Sequence, residues 1–376
     1  MKATKMQINI GILLLVGSLA CSSCESDAPE VDMPPSAPTV TADLYWPPNA
    51  AMDWVSVDPQ DLAWDTDKLV ELEQFLASRG TRAFIMLYKG KIVAESYWGQ
   101  NAAETAPFGQ ASLWYWASAG KSLTAVLTGL AQEEGLLNID DPTHLYLGRG
   151  WTDLDQEQES VITIRHQLTM TTGFEFEVDD LNCTLPECLR YRAEAGQQWY
   201  YHNAPYTLLE DVLVAAAGTD YSTFTKTRLG DKIGMEGLWI PNGSNNLFWS
   251  TARDAARFGL LMLNEGKWDN QVVIGDEAYF DEMINSSQSL NPSYGYLWWL
   301  NGKSSLRVPG LATALPIEAT PSAPDDMFSA IGKNGQFVDI VPSLDLVVVR
   351  FGDASDESLV PITFHEDMWE RLGQVF

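Results

Sequence analysis

Positive charge is scarce in this chain. Its 376 residues carry 23 Lys and Arg against 51 Asp and Glu, a formal charge of −28. Such a surface repels phosphate backbones and anionic lipid, which argues against nucleic-acid binding and electrostatic adhesion to a membrane. It reads as a solvated acidic surface. Histidine is rarer still. His144, His166, His202 and His365 are scattered and no H-E-x-x-H occurs, so neither a metal site nor a cofactor is expected. No G-x-S-x-G elbow exists, which makes a Ser-His-Asp triad the weakest of the hydrolase arrangements. What is abundant is apolar residue, 45%, with 14 tryptophans. That is ample for a large core and excludes global disorder.

The N-terminus reads as an export signal over residues 1–20. Lys2 and Lys5 precede an apolar run, Asn9 to Ala20, that is too short to span a bilayer comfortably. Gly17-Ser18-Leu19-Ala20-Cys21 resembles a relaxed bacterial lipoprotein cleavage box, with Cys21 as the lipidated residue. Ser18 departs from the usual aliphatic residue, Cys24 is a poorer second candidate, and a secreted protein cut near Ala20 is the alternative. Residues 21–48 are acidic and then proline-rich, an extended tether that builds no core. The expected location is therefore the bacterial cell envelope, with membrane contact by lipid anchor only. Chain length leaves the oligomeric state open. In an oxidising compartment the remaining cysteines, Cys183 and Cys188, are expected to close a local disulfide.

Residues 49–376 read as one catalytic-size domain. A helical period over Asp67–Ser78 is followed by two alternating stretches, Ala83–Tyr88 and Ile92–Tyr97, around Lys89-Gly90-Lys91, which predicts a β-hairpin. A helix is expected from Ser118 to Gly135. Residues 136–290 read mostly as helices and loops, clearest at Leu208–Ala217 and Ala252–Leu263. Strand character returns at Gly295–Leu300, Phe328–Gly332, Phe337–Val341 and Leu346–Phe351, and a last helix is expected near Ile362–Leu372. The fold class is thus α/β of the α+β type: a central antiparallel sheet built by N- and C-terminal strands, flanked by helices, with a mostly helical insertion. The Pro-, Ser- and Ala-rich stretch 302–327 reads as a long loop beside a cleft.

Three short motifs carry chemistry. Ser118-Ala119-Gly120-Lys121 is an S-x-x-K, which places a hydroxyl and an amine on one helix face. Lys121 can then take the proton of Ser118 and create a nucleophile. At a helix N-terminus the dipole favours negative charge and disfavours a protonated lysine. Tyr201-His202-Asn203 is a Y-x-N, and Lys333-Asn334-Gly335 a K-x-G at the start of a predicted strand. Tyrosine is a poor base at its ordinary pKa near 10, but lysines on either side, Lys121 and Lys333, would make its phenolate accessible. Taken singly, Ser118 could be a helix cap, Tyr201 and Asn203 a loop tyrosine with an Asx turn, and Lys333 a turn residue. His202 would point away from both neighbours in an extended segment. Trp114, Trp116 and Trp298 could line a pocket or pack the core.

The order of these motifs resembles the penicillin-recognising serine hydrolases, on the branch of class C β-lactamases, D-alanyl-D-alanine carboxypeptidases, related esterases and nylon-oligomer hydrolases. Flanking segments share the likeness. Ile162-Thr163-Ile164-Arg165-His166-Gln167-Leu168-Thr169-Met170-Thr171-Thr172-Gly173-Phe174 resembles I-T-I-R-H-L-L-T-H-T-S-G, and Thr251-Ala252-Arg253-Asp254-Ala255-Ala256-Arg257-Phe258-Gly259 resembles S-A-R-D-L-A-R-F-G. Gly335-Gln336, Val341-Pro342 and Leu346-Val347-Val348-Val349 resemble the closing strands. The likeness runs from about residue 60 to 374 and implies a β-lactamase/transpeptidase-like fold. It implies that Tyr201 relays a proton with Lys121, that Asn203 fixes Lys121 and a substrate amide, and that the backbone N–H groups of Ser118 and Gln336 form an oxyanion hole. Gly335 would let substrate lie close to the strand.

Asn334 stands where the lactamase branch commonly has threonine, and no S-D-N occurs. The expectation is therefore a serine hydrolase of small esters or amides working through a Ser118 acyl-enzyme. The alternatives are a D,D-carboxypeptidase, D-aminopeptidase or β-lactamase acting on cell-wall peptides or β-lactams, and a non-catalytic envelope binding protein on the same scaffold.

Overall fold

The structure, a computed structural model, describes residues 44–49, 53–355 and 360–376. The export signal, Cys21, Cys24 and most of the tether lie outside the described residues. The first helix, α1 (Thr66–Ser78), is capped by Asp65, whose side chain accepts from the N–H groups of Asp67 and Lys68. Next comes the expected hairpin, β1 (Thr81–Tyr88) and β2 (Lys91–Tyr97). Its turn holds Lys89 and Gly90 at φ 50° and 78°. A Cβ on Gly90 would stand 2.0 Å from the Tyr45 carbonyl oxygen, so only glycine fits under the incoming chain. A short strand, β3 (Trp114–Tyr115), leads to the buried helix α2 (Gly120–Glu133). Helix α3 (Asn203–Ala217) follows after a region of short helices and turns.

Then come β4 (Leu238–Asn242) and β5 (Asn245–Ser250), which form a second sheet in the order β3-β5-β4. This hairpin falls inside the stretch expected to be helices and loops. Its signal was Asn242-Gly243, a tight hairpin turn with Gly243 at φ 63°. Pro241 is tolerated because β4 is an edge strand. Helix α4 (Ala252–Leu263) starts at a capping box in which Thr251 and Asp254 bond reciprocally. The chain closes with β6 (Trp299–Leu300), β7 (Phe328–Gly332), β8 (Gln336–Val341), β9 (Leu346–Gly352) and α5 (Ile362–Leu372).

These strands make a six-stranded antiparallel sheet, β2-β1-β9-β8-β7-β6, so both ends of the chain build it, as expected. Side-chain alternation decides what packs on each face. Phe84, Met86, Phe337 and Val348 pack with Leu72, Leu76, Met368 and Trp369 of α1 and α5. Ile85, Leu87, Val338 and Val349 face the larger core with α2 and α4. A Cβ on Gly259 of α4 would lie 2.5 Å from Val347, which is how closely that helix rides the sheet.

Two expectations change. The strand read over 295–300 keeps only Trp299 and Leu300, because Gly295 donates to the Trp298 carbonyl and Leu297 sits at φ 59°. The aromatic residues there are buried in a folded turn rather than alternating along a strand. The tether also ends earlier than residue 48. Tyr45 N–H bonds the Lys89 carbonyl, Trp46 packs on Trp268 at 5.0 Å, and buried Arg257 donates to the Pro47 and Pro48 carbonyls. Residues 302–327 form a long loop with one bridge, Leu306 to Leu315, and none of them lines the cavity around Ser118.

Candidate active site

Ser118 lies in the single 3-10 turn Ala117–Ala119 that runs directly into α2. Two contacts fix that turn. Trp116 is fully buried, donates from its indole to Ser250 Oγ at 2.8 Å, and its backbone N–H bonds the Phe248 carbonyl. Behind it, a Cβ on Gly332 would sit 2.3 Å from the Trp116 carbonyl oxygen and 3.0 Å from Ala119 N. The end of β7 is thus pressed against the Ser118 turn at a position that only glycine can hold. Ser118 itself is half-exposed at the floor of a cavity of about 640 Å³.

Lys121 is one helical turn on, 4% exposed, and its Nζ donates to Ser118 Oγ at 3.0 Å. Its other neighbours are aromatic faces: Tyr206 with its ring centroid at 4.3 Å and Tyr201 at 5.1 Å. Burial without a carboxylate brings its pKa down to about 7. A large fraction of the amine is then unprotonated at neutral pH, as a base for Ser118 requires.

Tyr201 behaves oppositely to expectation. It is buried, stacked on Trp299 at 5.8 Å, and burial pushes its phenol well above the ordinary tyrosine range, while a hydrogen bond with Ser118 works against that shift. No flanking lysine lowers it, because Lys121 meets its ring face and Lys333 stands on the exposed turn after β7. The basic group of the pair is Lys121, and Tyr201 is a neutral hydroxyl beside Ser118.

Asn203 opens α3 and lines the cavity; its Nδ2 donates to Asn182 Oδ1 at 2.9 Å, and its own Oδ1 is buried without a partner. Lys333 and Asn334 line the same cavity, and Asn334 Nδ2 donates to the Tyr115 hydroxyl at 2.7 Å. Ser118, Lys121, Asn203 and Lys333 therefore converge on one cavity from three distant stretches, and Tyr201 hydrogen-bonds Ser118.

Gly335 and Gln336 do not join them. The K-x-G triplet forms the tight reversal between β7 and β8, with Asn334 and Gly335 at φ 66° and 75°. A Cβ on Gly335 would meet the Arg350 guanidinium at 2.8 Å, not the cavity. Gln336 pairs in register with Gly332 on a strand flanked on both sides, and its fully buried side chain bonds the Gly352 backbone at 2.7 and 3.0 Å. His202 is buried with its pKa lowered to about 4, and it faces Phe174 rather than the cavity. Trp114 lines the cavity, whereas Trp116 and Trp298 are core.

Sequence reading missed several neighbours. Tyr206 follows Asn203 by one helical spacing, a readable signal. Tyr115 and Trp249, and Asn242, Asn245 and Asn246, come from β3 and the unforeseen β4–β5 hairpin. The Cys183–Cys188 disulfide is present, with Cα atoms 6.0 Å apart.

The model of the Beta-lactamase family matches residues 71–357, and the chain belongs to that family. Over 305 residues it is 25% identical to an uncharacterized protein of Alkalihalophilus pseudofirmus, spanning 72% of this chain and 83% of that one. Over 177 residues it is 27% identical to a β-lactamase of Escherichia coli strain K12, spanning 44% of this chain and 46% of the enzyme. A penicillin-binding protein homologue from Caulobacter crescentus superposes with a TM-score of 0.63 at 15% identity, covering 86% of this chain and 98% of its own. A penicillin-binding protein from Bacillus halodurans superposes at 0.57 with 16% identity, covering 76% and 96%. Family and fold are those of serine hydrolases.

Proposed function

We propose that the protein hydrolyses small esters or amides through an acyl-enzyme on Ser118. The observation that carries this reading is the 3.0 Å contact between Ser118 Oγ and a buried Lys121 amine with a pKa near 7, at the floor of an open cavity. Ser118 Oγ attacks the substrate carbonyl carbon as its proton passes to Lys121 Nζ. The tetrahedral oxyanion forms beside the N-terminus of α2, where the Ser118 N–H is one donor. The second donor is the Lys333 N–H, next to Gly332 at the nucleophile's turn, in place of Gln336. Collapse breaks the bond to the leaving alcohol or amine, which takes its proton from Lys121 by way of the Tyr201 hydroxyl. Water then attacks the acyl carbon with Lys121 again as base, and Ser118 is regenerated.

A second reading is hydrolysis of D-amino-acid peptides. It draws on Lys333, an exposed cavity residue without an ion-pair partner among the described residues and suited to a carboxylate as a point charge. Purified protein profiled on acyl esters, D-peptides and β-lactams decides between the two, with Ser118→Ala as control. Release of D-alanine would select the second reading, and rapid nitrocefin turnover lost in Ser118→Ala would overturn both preferences. Failure of a fluorophosphonate to label Ser118 would leave only the binding-protein reading. The proposal includes location: Lys2, Lys5, the run from Asn9 to Ala20, and Cys21 support export and a lipid anchor. Mass spectrometry of the mature N-terminus tests it, and an unmodified Cys21 would remove the anchor.

A further inference from the structure

A loop behind the cavity has a chain of side-chain contacts that ends on Asn203. An asparagine amide can lie in two orientations, and which one holds is set by what its neighbours can donate or accept. Asp180 accepts only. Its Oδ1 takes both the backbone N–H of Asn182, at 2.9 Å, and Asn182 Nδ2, at 2.8 Å. That turns Asn182 Oδ1 the other way, where it accepts from Asn203 Nδ2 and from Asn245 Nδ2, each at 2.9 Å. Asn203 must then present its own Oδ1 on the opposite side. That oxygen is buried and has no partner. Asn203 lines the cavity floored by Ser118 and Lys121, so the orientation of its amide decides which polar atom stands nearest that site.

The same loop also starts the helix that carries Asn203. The residue before α3, His202, makes no side-chain cap, and Pro205 has no N–H. One of the first-turn donors, the Ala204 N–H, bonds the Leu181 carbonyl at 2.9 Å. Residue 183, directly after Asn182, is half of the Cys183–Cys188 disulfide. A covalent closure one residue away limits how far the 181–182 segment can move.

We propose that the segment 180–182, which leads into the loop closed by the Cys183–Cys188 disulfide, is a positioning element for the active site, in which Asp180 orients Asn182 and Asn182 orients Asn203. Asn182 is a positioning residue: it does not line the cavity and acts through Asn203. The proposal rests on the Ser118 acyl-enzyme reading, so its test needs one measurement that does not depend on that reading.

The test is a double-mutant cycle on the rate of Ser118 labelling by a fluorophosphonate. Asn182→Ala should slow labelling about tenfold, as a modest misplacement of a site group does, and should add nothing in an Asn203→Ala background. The disulfide-free variant Cys183→Ser with Cys188→Ser should slow it less, and again add nothing once Asn203 is absent. Exchange of the pair, Asp180→Asn with Asn182→Asp, keeps an acceptor facing Asn203 and should recover most of the rate; it also serves if Asn182→Ala fails to fold. Equal slowing in both backgrounds, or none in either, would overturn the proposal. The independent measurement is hydrogen exchange of the Asn203 side-chain NH2 in 15N-labelled protein, which should lose protection in Asn182→Ala. If wild-type Ser118 is never labelled but this protection is lost, the positioning role stands and the acyl-enzyme reading falls. Unchanged protection sinks the positioning role whatever the labelling shows.

Discussion

Two of the cations buried among the described residues, Arg350 and Lys121, are treated in opposite ways. Arg350, in β9, has no measurable exposure, and its guanidinium donates to Thr81 Oγ1 and to the carbonyls of Arg79, Asn334, Gly335 and Asp353. Burial lowers its pKa, but a guanidinium with its donors this fully used stays charged. Lys121 donates to a single hydroxyl and otherwise faces two rings. The rings favour a cation only weakly, and its proton is lost near neutrality. The first cation is surrounded by acceptors and pins together the ends of β1, β8 and β9. The second is deprived of acceptors and so becomes a base. The lesson is that burial alone does not make a group reactive; burial without compensation does.

Substitution separates the two. Lys121→Met should lower Ser118 acylation by about three orders of magnitude while raising stability by as much as ~3 kcal/mol at neutral pH, since the cost of burying an amine is removed. Labelling rates and thermal unfolding measure both. A destabilised Lys121→Met would make Lys121 a structural cation like Arg350. Tyr201→Phe should slow acylation about a hundredfold with little effect on unfolding, and should add little to Lys121→Met because the two act as a unit. An unchanged rate would remove the proton relay. Arg350→Met should cost on the order of 3 kcal/mol, because several buried carbonyls lose their donor at once. Chemical denaturation would read it, and a neutral result would break the contrast from the other side.

The smallest effect is the pH dependence. The acylation rate should rise with pH and level off above about 7, as Lys121 becomes the free amine. The sign for stability follows from the same shift. Between about 7 and the ordinary value of 10.5 the native amine binds fewer protons than the unfolded one, so Lys121 makes stability rise with pH over that window. Lys121→Met should flatten the slope, and an unchanged slope would place the titration elsewhere.

Much of this was legible in the chain. Alternation in Ala83–Tyr88 and in the C-terminal strands marked the sheet, and the period at Ala252–Leu263 marked α4, because burial on one face leaves a pattern. Ser118, Lys121 and Asn203 could be read because spacing along a helix or strand fixes which side chains share a face. The relative basicity of Lys121 and Tyr201 could not. It depends on Tyr206, Trp299 and the absence of a nearby carboxylate, which only packing determines. The placement of Gly335 and Gln336 was also hidden, since K-x-G looks the same in a reversal as at the mouth of a strand. Asn182 and Asn245 carried no signal, being isolated amides that meet only after folding.

The position at Gly332 has one more consequence. Ser118 is made early in the chain, while the strand end that backs its turn comes more than 200 residues later and meets it at a clearance of one hydrogen atom. A chain still emerging from the ribosome carries Ser118 without the strand that backs it. The surroundings of Ser118 are therefore complete only after the last strands have been made and folded.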